Sequence, residues 1–190
     1  TYNDAVTLGA NDTLTSTGSG NITFAQTIDG GFSLTVNTAG TTTFDGGVGV
    51  TTALTSLTTD APGTTAFNVK VSGPVSVVTT GAQTFNDAVT LGQNLTLVST
   101  GGGNITFGRT IDGPFTLATE TVGLTTFDGV VGGITPLLFI DTFNAAVLNG
   151  GKITTSGFQV YASSVVLGAD TTLTAGTSVT FGNSVYGAFA

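Results

Sequence analysis

Six aspartates at turn-like segments are the residues of this sequence best placed to do chemistry. Four of them precede a glycine and two lie in Asn-Asp-Ala segments: Asp29, Asp45, Asp112, Asp128, Asp4 and Asp87. Carboxylates aligned along one edge of a repeat fold could bind Ca²⁺ or act as the carboxylate pair of a glycosidase. Asp and Asn also stabilise tight turns by bonding to their own neighbouring backbone. Because the sequence lacks the Gly-Gly-x-Gly-x-Asp nonapeptide of calcium-binding solenoids, it favours the turn role, with weak surface calcium binding as the alternative.

The remaining composition argues against catalysis. The 190 residues include no His, Cys, Met or Trp, and three Lys and Arg stand against eleven Asp and Glu. Most zinc, haem and thiol chemistry and the Ser-His-Asp triad therefore have no residues to use. Arg109 is the only arginine, and its nearest acidic neighbour in sequence is Asp112. The sequence predicts a protein that is not an enzyme and has no catalytic residues, cofactor or bound metal.

Threonine is abundant enough to suggest another kind of site. Ice-binding solenoids present Thr-x-Thr ladders, and Thr13-Leu14-Thr15 and Thr172-Leu173-Thr174 fit that motif. The corresponding segment of the second repeat copy is Thr96-Leu97-Val98, which interrupts the ladder. Threonine is also a β-branched residue that supports strands while staying hydrated. This second role is favoured, and ice binding is kept as an alternative.

Charge and hydropathy limit the partners and the location. The formal net charge is −8, which disfavours nucleic acid or an anionic membrane as a partner. The most apolar stretch, residues 137–140, is far shorter than the roughly 18–20 residues of a membrane span. The absence of Cys and Met makes the chain resistant to oxidation, and three basic residues leave few trypsin sites. These features predict an extracellular protein at the cell surface, without membrane insertion.

The chain contains a long internal repeat. Residues 1–9, TYNDAVTLG, return as TFNDAVTLG at residues 84–92, and three further blocks repeat at the same spacing of 83. A third copy follows the second at a spacing of 76. We therefore predict one repeat domain over residues 1–190, with super-repeats at 1–83 and 84–159 and a partial copy at 160–190.

A shorter period lies inside each copy. An aromatic residue recurs about every 20 residues, at Tyr2, Phe24, Phe44, Phe67, Phe85, Phe107, Phe127, Phe143, Tyr161 and Phe181. Apolar–Thr/Ser–apolar triplets such as Val6-Thr7-Leu8 alternate with period two, which is typical of half-buried strands. Glycine-rich turn signals separate the triplets. A unit of this size cannot hold its own core, so neighbouring units must stack.

These periods predict an all-β fold, a parallel β-solenoid of about nine to ten coils of roughly 20 residues. A β-sandwich does not need residues matched at such a spacing, and a propeller blade needs about 40–50 residues. Aromatic side chains stacked at one position of each coil would form an inner ladder. We expect this structural core ladder to contain Phe24, Phe44, Phe85, Phe107, Phe127, Tyr161 and Phe181.

The repeated segments also resemble a known group of proteins. TYNDAVTLGANDTLTSTG and TFNDAVTLGQNLTLVSTGGGNITFGRTIDGPFTLATETVGLTTFDG look like segments of Thr/Gly-rich β-strand-repeat surface exoproteins of bacteria. Such proteins are similar to filamentous-haemagglutinin-type adhesins and autotransporter passengers. The resemblance covers essentially the whole chain. It implies a right-handed parallel β-helix, secretion, and a role in adhesion, surface coats or fibres, and it brings no shared active site.

The leading hypothesis is a secreted structural repeat protein of a cell-surface fibre, extracellular filament or adhesin stalk. Its coils would stack, and the rod would either self-associate into filaments or continue in a longer chain. The alternative is an adhesive module whose outer face binds glycans or a cell surface, which an exposed aromatic row would mark. Tyr186 with Phe189 is the sequence candidate for such a row. An ice- or calcium-binding solenoid is the third hypothesis.

Overall fold

The computed structural model describes residues 1–68 and 75–189. These residues form short β-strands and no helix, which confirms the predicted all-β class. In chain order the strands are β1 (Val6–Thr7), β2 (Asp12–Ser16), β3 (Ile22–Phe24), β4 (Ile28–Asp29), β5 (Ser33–Thr38), β6 (Thr41–Phe44), β7 (Ser56–Thr59), β8 (Thr64–Phe67), β9 (Val75–Thr79), β10 (Gln83–Phe85), β11 (Ala88–Leu91) and β12 (Leu95–Ser99). They continue as β13 (Ile105–Phe107), β14 (Ile111–Asp112), β15 (Leu117–Thr121), β16 (Thr125–Phe127), β17 (Ile140–Thr142), β18 (Ala146–Leu148), β19 (Lys152–Thr155), β20 (Gln159–Tyr161), β21 (Val165–Leu167), β22 (Thr172–Ala175), β23 (Val179–Phe181) and β24 (Val185–Tyr186).

The strands belong to three sheets that the chain visits in a fixed order. Sheet B contains β1, β4, β9, β12, β15, β17, β20 and β23, and Val48 bridges β4 to β9. Sheet C contains β2, β5, β7, β10, β13, β16, β18, β21 and β24. Sheet A contains β3, β6, β8, β11, β14, β19 and β22, with Tyr2 bridged to β3 and Val131 bridging β14 to β19. A coil therefore runs from sheet B to sheet C to sheet A.

Every strand pairing is parallel and joins one coil to the next, so the chain is a parallel β-solenoid. The register of sheet C is typical: Leu34 pairs with Leu57, which pairs with Gln83. The chain makes about eight turns, which at about 4.8 Å per step gives roughly 38 Å between the first and last strands. The predicted nine to ten coils are not confirmed. Some coils exceed 20 residues, and Val48 pairs with Val77, 29 residues later.

Side chains alternate between the interior and the surface, as the period-two pattern predicts. In β5, Leu34, Val36 and Thr38 are buried, whereas Ser33 and Thr35 lie on the outside. The inward apolar residues of all three sheets form one continuous core cluster. Since the backbone hydrogen bonds run along the axis, each coil is held to its neighbours by both ladders and core contacts.

The long repeat does not coincide with a whole number of turns. Both the 83-residue step from Tyr2 to Phe85 and the 76-residue step from Phe85 to Tyr161 span eleven strand positions. Eleven positions on a three-sided coil are three full turns and two further sheets. On a three-sided coil, two sheets forward is the same as one sheet back, so equivalent blocks shift by one sheet from copy to copy. Tyr2, Phe85 and Tyr161 accordingly lie on sheets A, C and B, respectively.

The predicted single aromatic ladder is consequently wrong, because the aromatic rings form three stacks on different sheets. Tyr2, Phe24, Phe44 and Phe67 stack on sheet A with centroids 5.1–5.4 Å apart. Phe85, Phe107 and Phe127 stack on sheet C at 5.4–5.5 Å, and Tyr161 stacks on Phe181 on sheet B at 5.4 Å. The first two stacks meet across the interior, where Phe67 and Phe85 lie edge to face at 5.6 Å and 83°.

Three members of the aromatic series are not core residues, and the first of them, Tyr2, is 40% exposed in the first described coil. Phe181 is 38% exposed because it lies in the last described coil, where no further coil covers it. Phe143 is 68% exposed because Thr142, its neighbour in β17, takes the inward position. The other predicted ladder residues are buried: Phe24, Phe44, Phe85, Phe107, Phe127 and Tyr161.

Candidate functional site

The corners of the coils hold Asn and Asp side chains that bond to the next coil. Asn11 Oδ1 accepts a hydrogen bond from the backbone N–H of Ser33 at 3.0 Å, 22 residues later. Asp29 Oδ1 accepts from two N–H groups one coil on, those of Thr51 at 2.8 Å and Thr52 at 3.0 Å. Thr51 and Thr52 lie in a bend between β6 and β7, where the sheet ladders do not pair their N–H groups, and Ser33 is the first residue of β5. The corner side chains therefore join coils where the backbone ladders are interrupted.

This arrangement is repeated in the second copy and corrects the proposed role of the turn aspartates. Asp112 accepts from the N–H groups of Ile134 and Thr135 at 2.8 and 3.0 Å, as Asp29 does in the first copy. Asn94 accepts from the N–H of Thr116 at 3.0 Å, as Asn11 does. We expected Asp29 and Asp112 to cap turns through their own neighbouring backbone. They instead bond across coils, so the super-repeat preserves inter-coil contacts that sequence patterns do not reveal.

The predicted aspartates are not brought together into one site. Asp128 Oδ1 accepts from Asn149 Nδ2 at 2.7 Å, Asp45 is buried and Asp4 is exposed. Across residues 1–68 and 75–189, no group of three or more acidic residues is placed to hold a metal ion, and no pocket is found. The described residues include no helix that could span a membrane.

The threonines form a column that the Thr-x-Thr motifs did not predict. The three motif segments lie on different sheets, in β2, β12 and β22, so they cannot form one ladder. On the outside of sheet C, however, six threonines pair in register along consecutive coils: Thr13, Thr35, Thr58, Thr84, Thr106 and Thr126. The column then continues as Val147, Val166 and Tyr186.

Two glutamines are buried at equivalent places in the interior. Gln83 Nε2 donates to the carbonyl of Val98 at 2.9 Å, but its Oε1 has no hydrogen-bond donor. Gln159, the residue equivalent to Gln83 in the third copy, donates to the carbonyl of Thr174 at 2.9 Å. Its Oε1 accepts from the Tyr161 hydroxyl at 3.2 Å. The difference arises because a phenylalanine, Phe85, stands where the third copy has Tyr161.

We expect Phe85→Tyr to stabilise the protein by about 1 kcal/mol, because the new hydroxyl would satisfy Gln83 Oε1. The reverse change, Tyr161→Phe, should cost about 1–2 kcal/mol by leaving Gln159 Oε1 without a donor. Urea unfolding of both variants measures the two free energies. A loss of stability in Phe85→Tyr would show that the interior has no room for the hydroxyl at this position.

Asp87 is a carboxylate inside the rod. It is 1% exposed, and its Oδ1 accepts hydrogen bonds from the hydroxyls of Thr65 at 2.8 Å and Thr59 at 2.9 Å. Burial raises the pKa of Asp87 above its usual value, although the two threonine hydrogen bonds oppose the change. Its equivalent in the first copy, Asp4, is exposed.

A raised pKa in the folded state means that the folded protein binds the Asp87 proton more tightly than the unfolded chain. Unfolding free energy should therefore rise as the pH falls from neutral toward the ordinary Asp pKa near 4. We expect Asp87→Asn to remove this part of the pH dependence and to raise Tm at pH 7. Each kcal/mol gained in the free energy of unfolding should raise Tm by about 2–4 °C. Thermal melts between pH 7 and pH 4 make the comparison, with Asp4→Asn as the matched control. A wild-type slope retained in Asp87→Asn would contradict the assignment.

The two ends of the described solenoid expose strand edges and core positions. At one end, β22, β23 and β24 have no described strand on their outer side, and at the other the same holds for Tyr2, β1 and β2. Inward side chains at these ends are partly or largely exposed: Leu173, Val179, Phe181, Val185, Tyr2, Val6 and Leu14. The chain matches no family model, no curated protein and no solved structure.

Proposed function

We propose that the protein is a non-catalytic structural rod of an extracellular fibre, filament or adhesin stalk. The observation that carries the proposal is that three parallel sheets run along one axis and enclose a continuous apolar core. Each coil transmits load to the next through backbone hydrogen bonds, aromatic stacks and corner Asn and Asp bonds. This construction suits mechanical support.

The proposal extends to how the rod grows and where it acts. The exposed edges at the two ends would pair with further coils, supplied either by more of the same chain or by a second copy. We propose a right-handed coil, because parallel strand connections are right-handed in about 98% of cases. An extracellular, cell-surface location is part of the proposal, supported by a composition free of Cys and Met.

Electron microscopy of the purified 190-residue protein tests the assembly. We expect filaments with an axial layer line near 4.8 Å, the spacing of paired strands. Phe181→Asp should abolish filaments without unfolding the rod, because it places a charge at the inward side of the end joint. Thr180→Asp, on the outward side of the same strand, is the matched control. Discrete short rods from the unaltered protein would rule out self-assembly of this chain.

A further inference from the structure

The outer face of sheet B contains an exposed carboxylate, Asp141, that is flanked by apolar side chains. In β17, Ile140 and Thr142 point inward, so Asp141 lies on the outside. The register places Asp141 between Ala118 of one neighbouring coil and Val160 of the other. Along its own chain, Asp141 is flanked at two residues' distance by Phe139 and Phe143.

Asp141 has no hydrogen-bond or ion-pair partner among the described residues. Its apolar neighbours partly desolvate the carboxylate, which raises the pKa of Asp141 above its usual value. Asp29 and Asp112, by contrast, accept hydrogen bonds from backbone N–H groups of the adjacent coil. Asp141 therefore lacks the structural role that accounts for the corner aspartates.

The aromatic neighbours are placed to receive a cation. Phe143 is 68% exposed. Because Thr119 pairs with Thr142, the residues that follow them, Glu120 and Phe143, lie next to each other in adjacent coils. Phe139 is held in place by Phe158, with ring centroids 4.1 Å apart at 10°. Aromatic rings beside a carboxylate favour an ammonium or guanidinium group, through the ring quadrupole and the charge together.

Charge complementarity selects the partner. Within residues 1–68 and 75–189, sheet B has no Lys or Arg, because Lys152 lies in β19 of sheet A and Arg109 lies between β13 and β14. A second copy of this chain, with a net charge of −8, would be a poor source of cations. Strand geometry places the Cα atoms of Asp141 and Glu120 about 8 Å apart. This distance is close to the roughly 7 Å that separates alternate residues of an extended peptide, so two such residues could reach the two carboxylates.

We propose that this face of sheet B docks an extended basic segment of a partner protein, with Arg or Lys at alternate positions. The two carboxylates bind the cationic groups, and the rings of Phe139 and Phe143 line the contact. The proposal is independent of end-to-end assembly, since the face lies on the side of the rod.

Calorimetric titration of the 190-residue protein with a short peptide of alternating serine and arginine tests the proposal. Asp141→Asn should weaken binding about tenfold, the loss of a charge-assisted contact, and Phe143→Ser about threefold. Asp12→Asn, which removes the same charge from an exposed site on sheet C, should change binding less than about twofold at moderate salt. Circular dichroism melts check that each variant remains folded.

Three results would overturn the proposal. The first is an equal loss in Asp12→Asn and Asp141→Asn, which would mean non-specific attraction to the net charge. The second is equal binding of a control peptide that carries citrulline in place of arginine. The third is binding of a neutral oligosaccharide that Phe143→Ser abolishes and Asp141→Asn leaves intact, which would make the face a glycan platform instead.

Discussion

Phe107→Asp should prevent the chain from folding, whereas Thr106→Asp should leave it folded. Phe107 is fully buried and stacks between Phe85 at 5.5 Å and Phe127 at 5.4 Å. Losing the ring costs about 3–5 kcal/mol, and an unpaired buried carboxylate adds several more. Together these approach the about 5–15 kcal/mol by which a typical domain is stable.

Thr106 provides the matched control because it is the adjacent residue of the same strand and lies in the outer threonine column of sheet C. A charge there stays hydrated, so we expect a change within about 1 kcal/mol. Thermal unfolding by circular dichroism separates the two variants. Similar behaviour of both would mean that the inside and outside of β13 are assigned wrongly.

Gly113→Ala should destabilise the protein by about 3 kcal/mol or more, the second largest effect that we expect. Gly113 has φ +134°, a backbone conformation that residues with a side chain rarely adopt. A methyl group on it would overlap the backbone carbonyl of Leu91, one coil below, and approach the Leu91 Cβ to 3.0 Å. The coils at this corner are packed so closely that neither backbone can move without breaking the sheet register.

Gly31→Ala is the control for the glycine prediction. It lies one residue after Gly30, the counterpart of Gly113 in the first copy, but a methyl group on it meets nothing within 4 Å. We expect it to change stability within about 1 kcal/mol, because it mainly reduces the freedom of the unfolded chain. Urea denaturation gives both values. If Gly113→Ala cost no more than Gly31→Ala, the close approach of coils at this corner would be wrong.

The acidic residues show how far sequence patterns lead toward a site. Asp29 and Asp112 could be recognised as turn residues, but their partners lie 22 and 23 residues away. The sequence shows the two phenylalanines that flank Asp141, but not Ala118 and Val160, which the strand register brings beside it from adjacent coils. A sequence motif contains only residues that are neighbours along the chain, whereas the environment of a carboxylate also depends on residues of the adjacent coils.

The sequence by itself determined the strands, their inward and outward faces and the stacking of repeated units. These follow from local chemistry, because a period of two in hydrophobicity fixes which side of a strand is buried. Only the tertiary structure decided which sheet each repeat occupies. The sequence repeat is measured in residues, whereas stacking depends on the number of strands in each turn of the coil. Because the loops between strands vary in length, the repeat length does not reveal how many turns it spans. Eleven strand positions per copy on a three-sided coil therefore divide the aromatic residues among three stacks.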